Sequence, residues 1–289
     1  MSFTSDGTPG VPSTQSGNRT RFTVASWNVN GQAGFAVDAH LRFLQAKGCE
    51  IVALQEVTED YFSMLRQHPS VSGIAYSLDL RPPAKDAPKK NRIGCAVLSL
   101  DESMVIRTAA MIETTTCPER TVVAEVASKR HRFQVASLHS PNGSNWGRAK
   151  AVWFHEVANW MQSQTKPTIF GIDANTPKKE GLADSNPSKW WREDSDPVVG
   201  NGAQQLVGDT PRHKLRDTWK QLNPDSTHFP VSHNRDRGGD KRPEFACRYD
   251  FIFVSPHFTP NDCIYHYAAT VTANPRLSDH ALVTATVQL

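Results

Sequence analysis

The chain has no CxxC pair. Its five cysteines, Cys49, Cys95, Cys117, Cys247 and Cys263, are scattered and odd in number, which reads as reduced thiols and excludes a disulfide framework or a zinc ribbon. No apolar run approaches the ~20 residues that a membrane helix needs, so no membrane partner is expected. Residues 1–20, MSFTSDGTPGVPSTQSGNRT, lack the basic start and apolar middle of a secretion signal. They are rich in Ser, Thr, Gly and Pro and are expected to form a disordered tail; a cytoplasmic location is the matching expectation. There is no repeat at a fixed period. Charge of one sign is also scarce: the formal net charge is only +3, too little to mark a nucleic-acid binder without local clustering.

What is there is an ordinary globular composition, 38% hydrophobic and 21% charged over 289 residues, with no break in residues 21–289 that would divide them. One domain is expected there. Apolar, β-favouring runs recur: Phe22 to Trp27, Ile51 to Gln55, IGCAVLSL from Ile93, TVVAEVA from Thr121, RFQVASL from Arg132, Thr168 to Ile172, Tyr249 to Val254, Ile264 to Ala273 and Ala281 to Leu289. Helical spacing is confined to Val37, Leu41 and Leu44 with Gly48 as the stop, to YFSML, and to a longer segment with Ala149, Val152, Trp153, Val157, Trp160 and Met161 on one side. Residues 177–208 lack periodicity and read as a long loop with one short helix. Many strands and few helices suggest two packed sheets flanked by helices.

The informative feature is how the strands end. FTVASWNVNGQ stops at Asn28 and Asn30; IVALQ stops at Glu56; QVASL stops at His139, followed by Pro141 and Asn142; TIFGI stops at Asp173, with Asn175 beyond it. LSDH puts Asp279 and His280 before the last strand, and CRYDFIFV buries Asp250 in an apolar run. Each has a plainer reading when taken singly: Asn28 and Asn30 as a turn, Glu56 as an acid at a helix start, Asp173 to Asn175 as loop, His139 as a hydrogen-bonded core histidine. Asp250 resists that treatment, because a carboxylate among aromatics is costly unless it is paired, and a histidine would pair it. Together they make one chemistry. Carboxylates and amide oxygens are hard ligands that suit Mg²⁺ or Mn²⁺ and leave room for a substrate phosphate. A histidine held by a buried Asp stabilises negative charge or manages a proton.

WNVNG, LQEV, HSPNG, GIDAN, YDFIFVS and SDHALV, in that order from Trp27 to Val283, resemble the motifs of the endonuclease/exonuclease/phosphatase superfamily. The resemblance implies an α/β fold, a four-layer α/β sandwich of two mainly antiparallel sheets packed face to face with helices outside. It implies a divalent metal, Mg²⁺ or Mn²⁺, at Glu56 with Asn30 and Asp279 nearby, and Asn28 and Asn142 on the substrate phosphate. Asp173 and Asn175 would position the water, His280 would contact the scissile phosphate, Asp250 would orient His280, and His139 would share in catalysis. The chain departs from single subfamilies: Asn30 stands where apurinic-site endonucleases carry an aspartate, Ile172 separates Gly171 from Asp173, and the 5-phosphatase GDxNxR and WCDR signatures read GIDANTP and CRYDF here.

The expected activity is metal-dependent phosphodiester hydrolysis by a nuclease, with DNA as first substrate and RNA as second. A phosphatase or phosphodiesterase on a small phosphorylated molecule or lipid headgroup is the alternative enzyme; an inactive binding module of the same fold is the alternative class. Two basic stretches, Arg81–Arg92 and His233–Arg248, suit a nucleic-acid backbone, and Arg92 and Arg248 within them are assigned to substrate phosphates; solvated loops are the plainer reading. Trp146 suits base stacking or, by its spacing with Ala149 and Trp153, the core. Oligomeric state is not legible.

Overall fold

The structure, a computed structural model, describes residues 21–32, 34–84, 92–142, 146–178, 195–234 and 246–289. The tail expected over residues 1–20 and most of both basic stretches lie outside these. The strands are β1 (Arg21–Asn28), β2 (Ile51–Thr58), β3 (Gly73–Tyr76), β4 (Ile93–Ser99), β5 (Val105–Ala110), β6 (Thr121–Ala127), β7 (Arg132–His139), β8 (Thr168–Lys178), β9 (Ser195–Asp196), β10 (Gly200–Asn201), β11 (Arg216–Asp217), β12 (His233–Asn234), β13 (Ala246–Val254), β14 (Thr259–Tyr265) and β15 (Val283–Gln288). One sheet runs β14-β15-β1-β2-β4-β3 and the other β11-β13-β8-β7-β6-β5, with β12 along β13; β9 and β10 form a separate ribbon.

Three apolar clusters hold four layers together. Between the sheets lie Phe22, Phe133, Phe258, Val97, Val135 and Ile252 among others, with Phe22 and Phe133 stacked at 5.1 Å. Burying each such ring contributes about 1.5–3 kcal/mol. Outside the first sheet, helices α1 (Val37–Ala46) and α2 (Glu59–Gln67) cover Trp27, Leu54 and Leu98. Outside the second, the helix Arg148–Ser163 packs Trp153, Phe154, Val157, Ala158 and Met161 onto Phe170, Ile172 and Phe251. The buried stripe of that helix is rotated from the expected one, since Phe154 and Ala158 face inward while Val152 and Trp160 are only partly covered. Trp146 packs against the same cluster.

Each sheet is antiparallel except for one pair. β1 and β2 are parallel, and so are β7 and β8. In a parallel pair both strands finish at the same edge, so each sheet delivers two carboxyl ends to one place. There the sheets come close: a Cβ on Gly171 of β8 would lie 2.6 Å from Ser26 Oγ and 2.9 Å from Ala53 Cβ of the opposite sheet. That is the physical need for the glycine two positions before Asp173.

One expected element differs. The strand proposed over Ile264–Ala273 ends at Tyr265, and a turn of helix follows at Tyr267–Thr270. Tyr265 pairs with Val283, the first residue of β15, so the chain beyond has no strand to pair with. β5 has no alternating apolar signal because it is a largely exposed edge strand.

Candidate active site

The polar strand ends converge. Asp173 is fully buried and lies in register beside His139 on one flank and Asp250 on the other. Across from it, at the end of β1, Asn28 donates through Nδ2 to Asp173 Oδ2 at 2.8 Å. Oδ1 of Asn28 accepts the Asn30 N–H at 2.7 Å, so the turn and the site are the same structure. His280 donates from Nδ1 to Asp250 Oδ2 at 2.8 Å and turns Nε2 toward Asp173 Oδ2 at 3.9 Å. His139 places Nε2 3.4 Å from Glu56 Oε1 and 3.7 Å from Asp173 Oδ2. Ser278 ties the loop carrying Asp279 and His280 to β1, its Oγ donating to the Asn28 carbonyl at 2.6 Å.

Local backbone departures aim these groups. β2 loses register against β4 between Leu54 and Val57, and within that bulge Glu56 has φ +54°. β8 loses register against β13 between Asp250 and Arg248, and there Asn175 has φ +48°. Asn30 completes the set at φ +55°. These are the non-glycine residues with positive φ among those described. Such residues cost on the order of 1–3 kcal/mol each and cluster at functional sites. Glu56 is therefore not a helix-start acid; α2 begins at Glu59 under a Thr58 cap.

Electrostatics set the protonation states. Burial works to lower the His280 pKa, but the carboxylates of Asp250, Asp173 and Asp279 outweigh it and hold the ring well above its ordinary value, as a cation. Burial, then the Arg120 and His280 charges, push His139 well below, so it is neutral. Burial and the Asp173 charge raise Glu56, with His280 and an Asn28 hydrogen bond opposing. Burial raises Asp173, against the His280 charge.

The residues present suit a divalent cation. Asp279 Oδ1 is buried without a hydrogen-bond partner, and Glu56 is pushed up partly by the charges of Asp173 and Asp279, a concentration of negative charge that a cation relieves. Glu56, His139 and Asp173 bring ligand atoms within 4.8 Å of one another.

A profile of the Endonuclease/Exonuclease/phosphatase family matches residues 25–280. The chain belongs to that family. No curated protein matches it in sequence. Among solved structures it resembles Danio rerio TDP2 complexed with single-strand DNA product, at 17% identity and TM-score 0.65, covering 93% of this chain and 99% of that one. An AP endonuclease from Archaeoglobus fulgidus aligns at 15% identity and TM-score 0.66, covering 91% and 98%. The human Nocturnin catalytic domain with bound sulfate anion aligns at 16% identity and TM-score 0.60, covering 93% and 96%. At these identities the likeness establishes the shared fold, here that of a phosphoric ester hydrolase family.

Of the two arginines assigned to substrate phosphate, Arg248 is enclosed away from the cluster. Arg248 is buried, pairs with Asp217 at 2.6 Å and donates to the Tyr265 hydroxyl at 2.8 Å. Its guanidinium lies 4.6 Å from the Phe251 ring centroid and 5.1 Å from that of Trp219. That enclosure excludes a phosphate and corrects the assignment. Arg92 stands half-exposed at the start of β4, 4.0 Å from Glu59, a partner outside the cluster. Asn142 follows β7 and accepts from the Trp146 N–H at 3.2 Å.

Several residues of the site carry no signal in the sequence. Arg120 hydrogen-bonds His139 at 3.0 Å. Lys150, buried on the long helix, donates to the Asn175 carbonyl at 2.9 Å. Ser232 Oγ accepts the Tyr249 and Asp250 N–H groups. The His233 ring lies tilted against that of His280, with centroids 4.5 Å apart. Each acts through a partner far away in sequence.

No helix among the described residues is long and apolar enough to cross a membrane.

Proposed function

We propose that the chain is a divalent-metal-dependent phosphodiester hydrolase acting on DNA, with its water positioned by Asp173 and Asn175. The observation that carries this reading is Asp173 itself, a buried carboxylate within hydrogen-bond or ion-pair reach of Asn28, Asn175, His139 and His280 at once. Glu56, Asp279 and Asn30 would hold the metal. When bound, it would supply charge neutralisation at a phosphate or leaving oxygen.

The protein's own groups do the rest. Burial raises Asp173, the direction that strengthens a carboxylate as a base. Its Oδ1 accepts the Asn175 N–H at 2.8 Å, which fixes the carboxylate plane for orienting water. His280 presents a cation to the developing charge on phosphorus oxygens, and Asp250 keeps it oriented and charged. Asn28 would steady both the water and the phosphate through its amide. DNA is favoured among substrates by the solved likeness of TDP2 with single-strand DNA product and by the apurinic-site enzyme.

The test is a parallel panel of plasmid DNA, an oligoribonucleotide and an inositol phosphate, with Mg²⁺ and then EDTA. The expected result is cleavage of DNA that stops with EDTA, and no turnover by folded Glu56→Ala, Asp173→Asn or His280→Ala. Near wild-type rates in all three variants refute the site. Turnover of only the inositol phosphate moves the assignment to a phosphatase; no turnover of anything by the wild type makes the chain a binding module.

A further inference from the structure

His139, at the end of β7, has one ring nitrogen facing each side of the site. Nδ1 is 3.0 Å from Nη1 of Arg120. Nε2 faces Glu56 Oε1 at 3.4 Å and Asp173 Oδ2 at 3.7 Å. A guanidinium has donors and no acceptor. The Arg120 contact is therefore a hydrogen bond only when Nδ1 offers its lone pair, and a neutral imidazole with a bare Nδ1 carries its proton on Nε2. The surrounding charges agree, with a cation against Nδ1 and two carboxylates near Nε2. The amide nitrogen of Asn175 also lies 3.1 Å from Nε2. Both of its hydrogens can be placed on oxygens, the Ser140 carbonyl at 3.1 Å and Asp173 Oδ2 at 3.3 Å, so it does not require a lone pair of the ring.

Arg120 is held for this task. It is 6% exposed and closes the turn Pro118–Arg120 just before β6. Its carbonyl accepts from Cys95 Sγ at 3.2 Å, and its guanidinium lies 5.6 Å from the ring centroid of Trp146. Burying a guanidinium is expensive unless its donors are used, and the His139 nitrogen uses one.

We infer that Arg120 is a positioning residue that fixes His139 as a neutral ring protonated on Nε2, a hydrogen-bond donor facing the reacting phosphate and barred from the metal's ligand set. A metal-bound histidine must present a lone pair, and the nitrogen nearest Glu56 and Asp173 has none to give. Of the trio Glu56, His139 and Asp173, Glu56 is then left to the cation and Asp173 to the water, and the imidazole supplies a proton donor beside them. The phosphate-facing role rests on the function proposed above; the position of the proton does not.

The experiment is a two-bond proton–nitrogen correlation spectrum of the ¹⁵N-labelled, metal-free protein at neutral pH, with the His139 signals assigned by their loss in His139→Gln. The wild type should show Nε2 protonated and Nδ1 bare. Arg120→Met should shift the proton population toward Nδ1 and lower kcat on a small phosphodiester roughly tenfold with KM little changed. Arg120→Lys, which keeps a donor, should return the proton to Nε2 and most of the rate. A wild-type ring protonated on Nδ1, or on both nitrogens, overturns the inference. So does a folded Arg120→Met variant with the wild-type pattern. If Arg120→Met does not fold, the wild-type and Arg120→Lys spectra decide it. A wild-type protein inert toward every phosphate ester would sink the proposed function and leave the spectrum to rule on this point separately.

Discussion

His280 and His139 approach the same oxygen, Oδ2 of Asp173, at 3.9 and 3.7 Å. Both rings are buried, so desolvation opposes charge on each. They nevertheless end in opposite states. On the side of β13, the Nδ1 partner of His280 is the Asp250 carboxylate at 2.8 Å, and the ring is held as a cation. On the side of β7, the Nδ1 partner of His139 is a guanidinium at 3.0 Å, and the ring is held neutral. The carboxylates each ring faces through Nε2 are similar. The group behind it decides whether it brings charge or only a hydrogen bond. In the proposed function, one side of the site would stabilise negative charge and the other would donate without adding to it.

The strongest way to break this contrast is Asp250→Asn. The amide keeps the shape and can keep a hydrogen bond, but it removes the charge that outweighs burial at His280. We expect kcat to fall by about 10³-fold or more, the scale for losing a carboxylate that orients and charges a catalytic imidazole. KM should move little. A loss below about tenfold, well under that scale, would mean that His280 works without its cationic form.

Much of this site was legible in the sequence because burial and chemistry conflict there. A run such as TIFGI that stops at Asp173, or IVALQ that stops at Glu56, leaves a polar group where an apolar one would be expected, and the topology then needs only to bring those ends to one edge. Asp250 was legible for the same reason. The opposite held for Arg248. An arginine among basic neighbours looks solvated, and only the fold supplies Asp217, Trp219 and Tyr265 to enclose it. Arg120 sits in CPERTVV with no local cue, since its role exists only once β6 pairs with β7 and carries it to His139. The bulge that swings Glu56 to φ +54° also has no sequence marker, because glutamate, unlike asparagine or glycine, does not announce a left-handed backbone. Pairwise geometry was therefore hidden where it depended on a second strand, and visible where a residue was locally out of place.

Stability against pH sharpens the same comparison, with the metal removed. A histidine whose pKa is lowered on folding, as for His139, contributes stability that is fully present above its unfolded value near 6.5 and is lost as pH falls through that range. His40 and His233, each lowered to about 4 by burial, add to this acid limb. For His40, buried between the Tyr61 hydroxyl and the Leu277 carbonyl, the cost between pH 6.5 and its folded value is on the order of 3 kcal/mol. His280 has the opposite sign. Its stabilisation is full below its unfolded value and fades as pH rises through a folded pKa well above 6.5. Glu56 and Asp173, both raised, also lose stability as pH rises from their ordinary carboxylate range. Thermal melts in EDTA should therefore fall off on both sides of neutrality. Added Mg²⁺ or Mn²⁺ should lift the alkaline side in particular, because a cation offsets ionised carboxylates. A metal effect confined to the acid side would contradict the assignment of Glu56 to a cation.

The smallest expected effect discriminates best between a ring that must carry charge and one that must only donate. Glutamine retains an N–H donor of nearly the reach of imidazole Nε2 but can never be cationic. At His139, where the ring is neutral, His139→Gln should cost about tenfold in kcat, equivalent to one imperfect hydrogen bond at ~1.4 kcal/mol. His139→Ala, which leaves no donor, should cost about a hundredfold, the lower end for deleting a donor to developing charge. At His280 the same pair of substitutions should be equally damaging, because neither replacement supplies a cation beside Asp250. The quantity to measure is the Gln-to-Ala ratio of kcat at each position. A ratio near ten at His139 and near one at His280 follows from the different groups behind the rings. Equal ratios at both positions would mean that Asp250 and Arg120 do not set the two histidines apart.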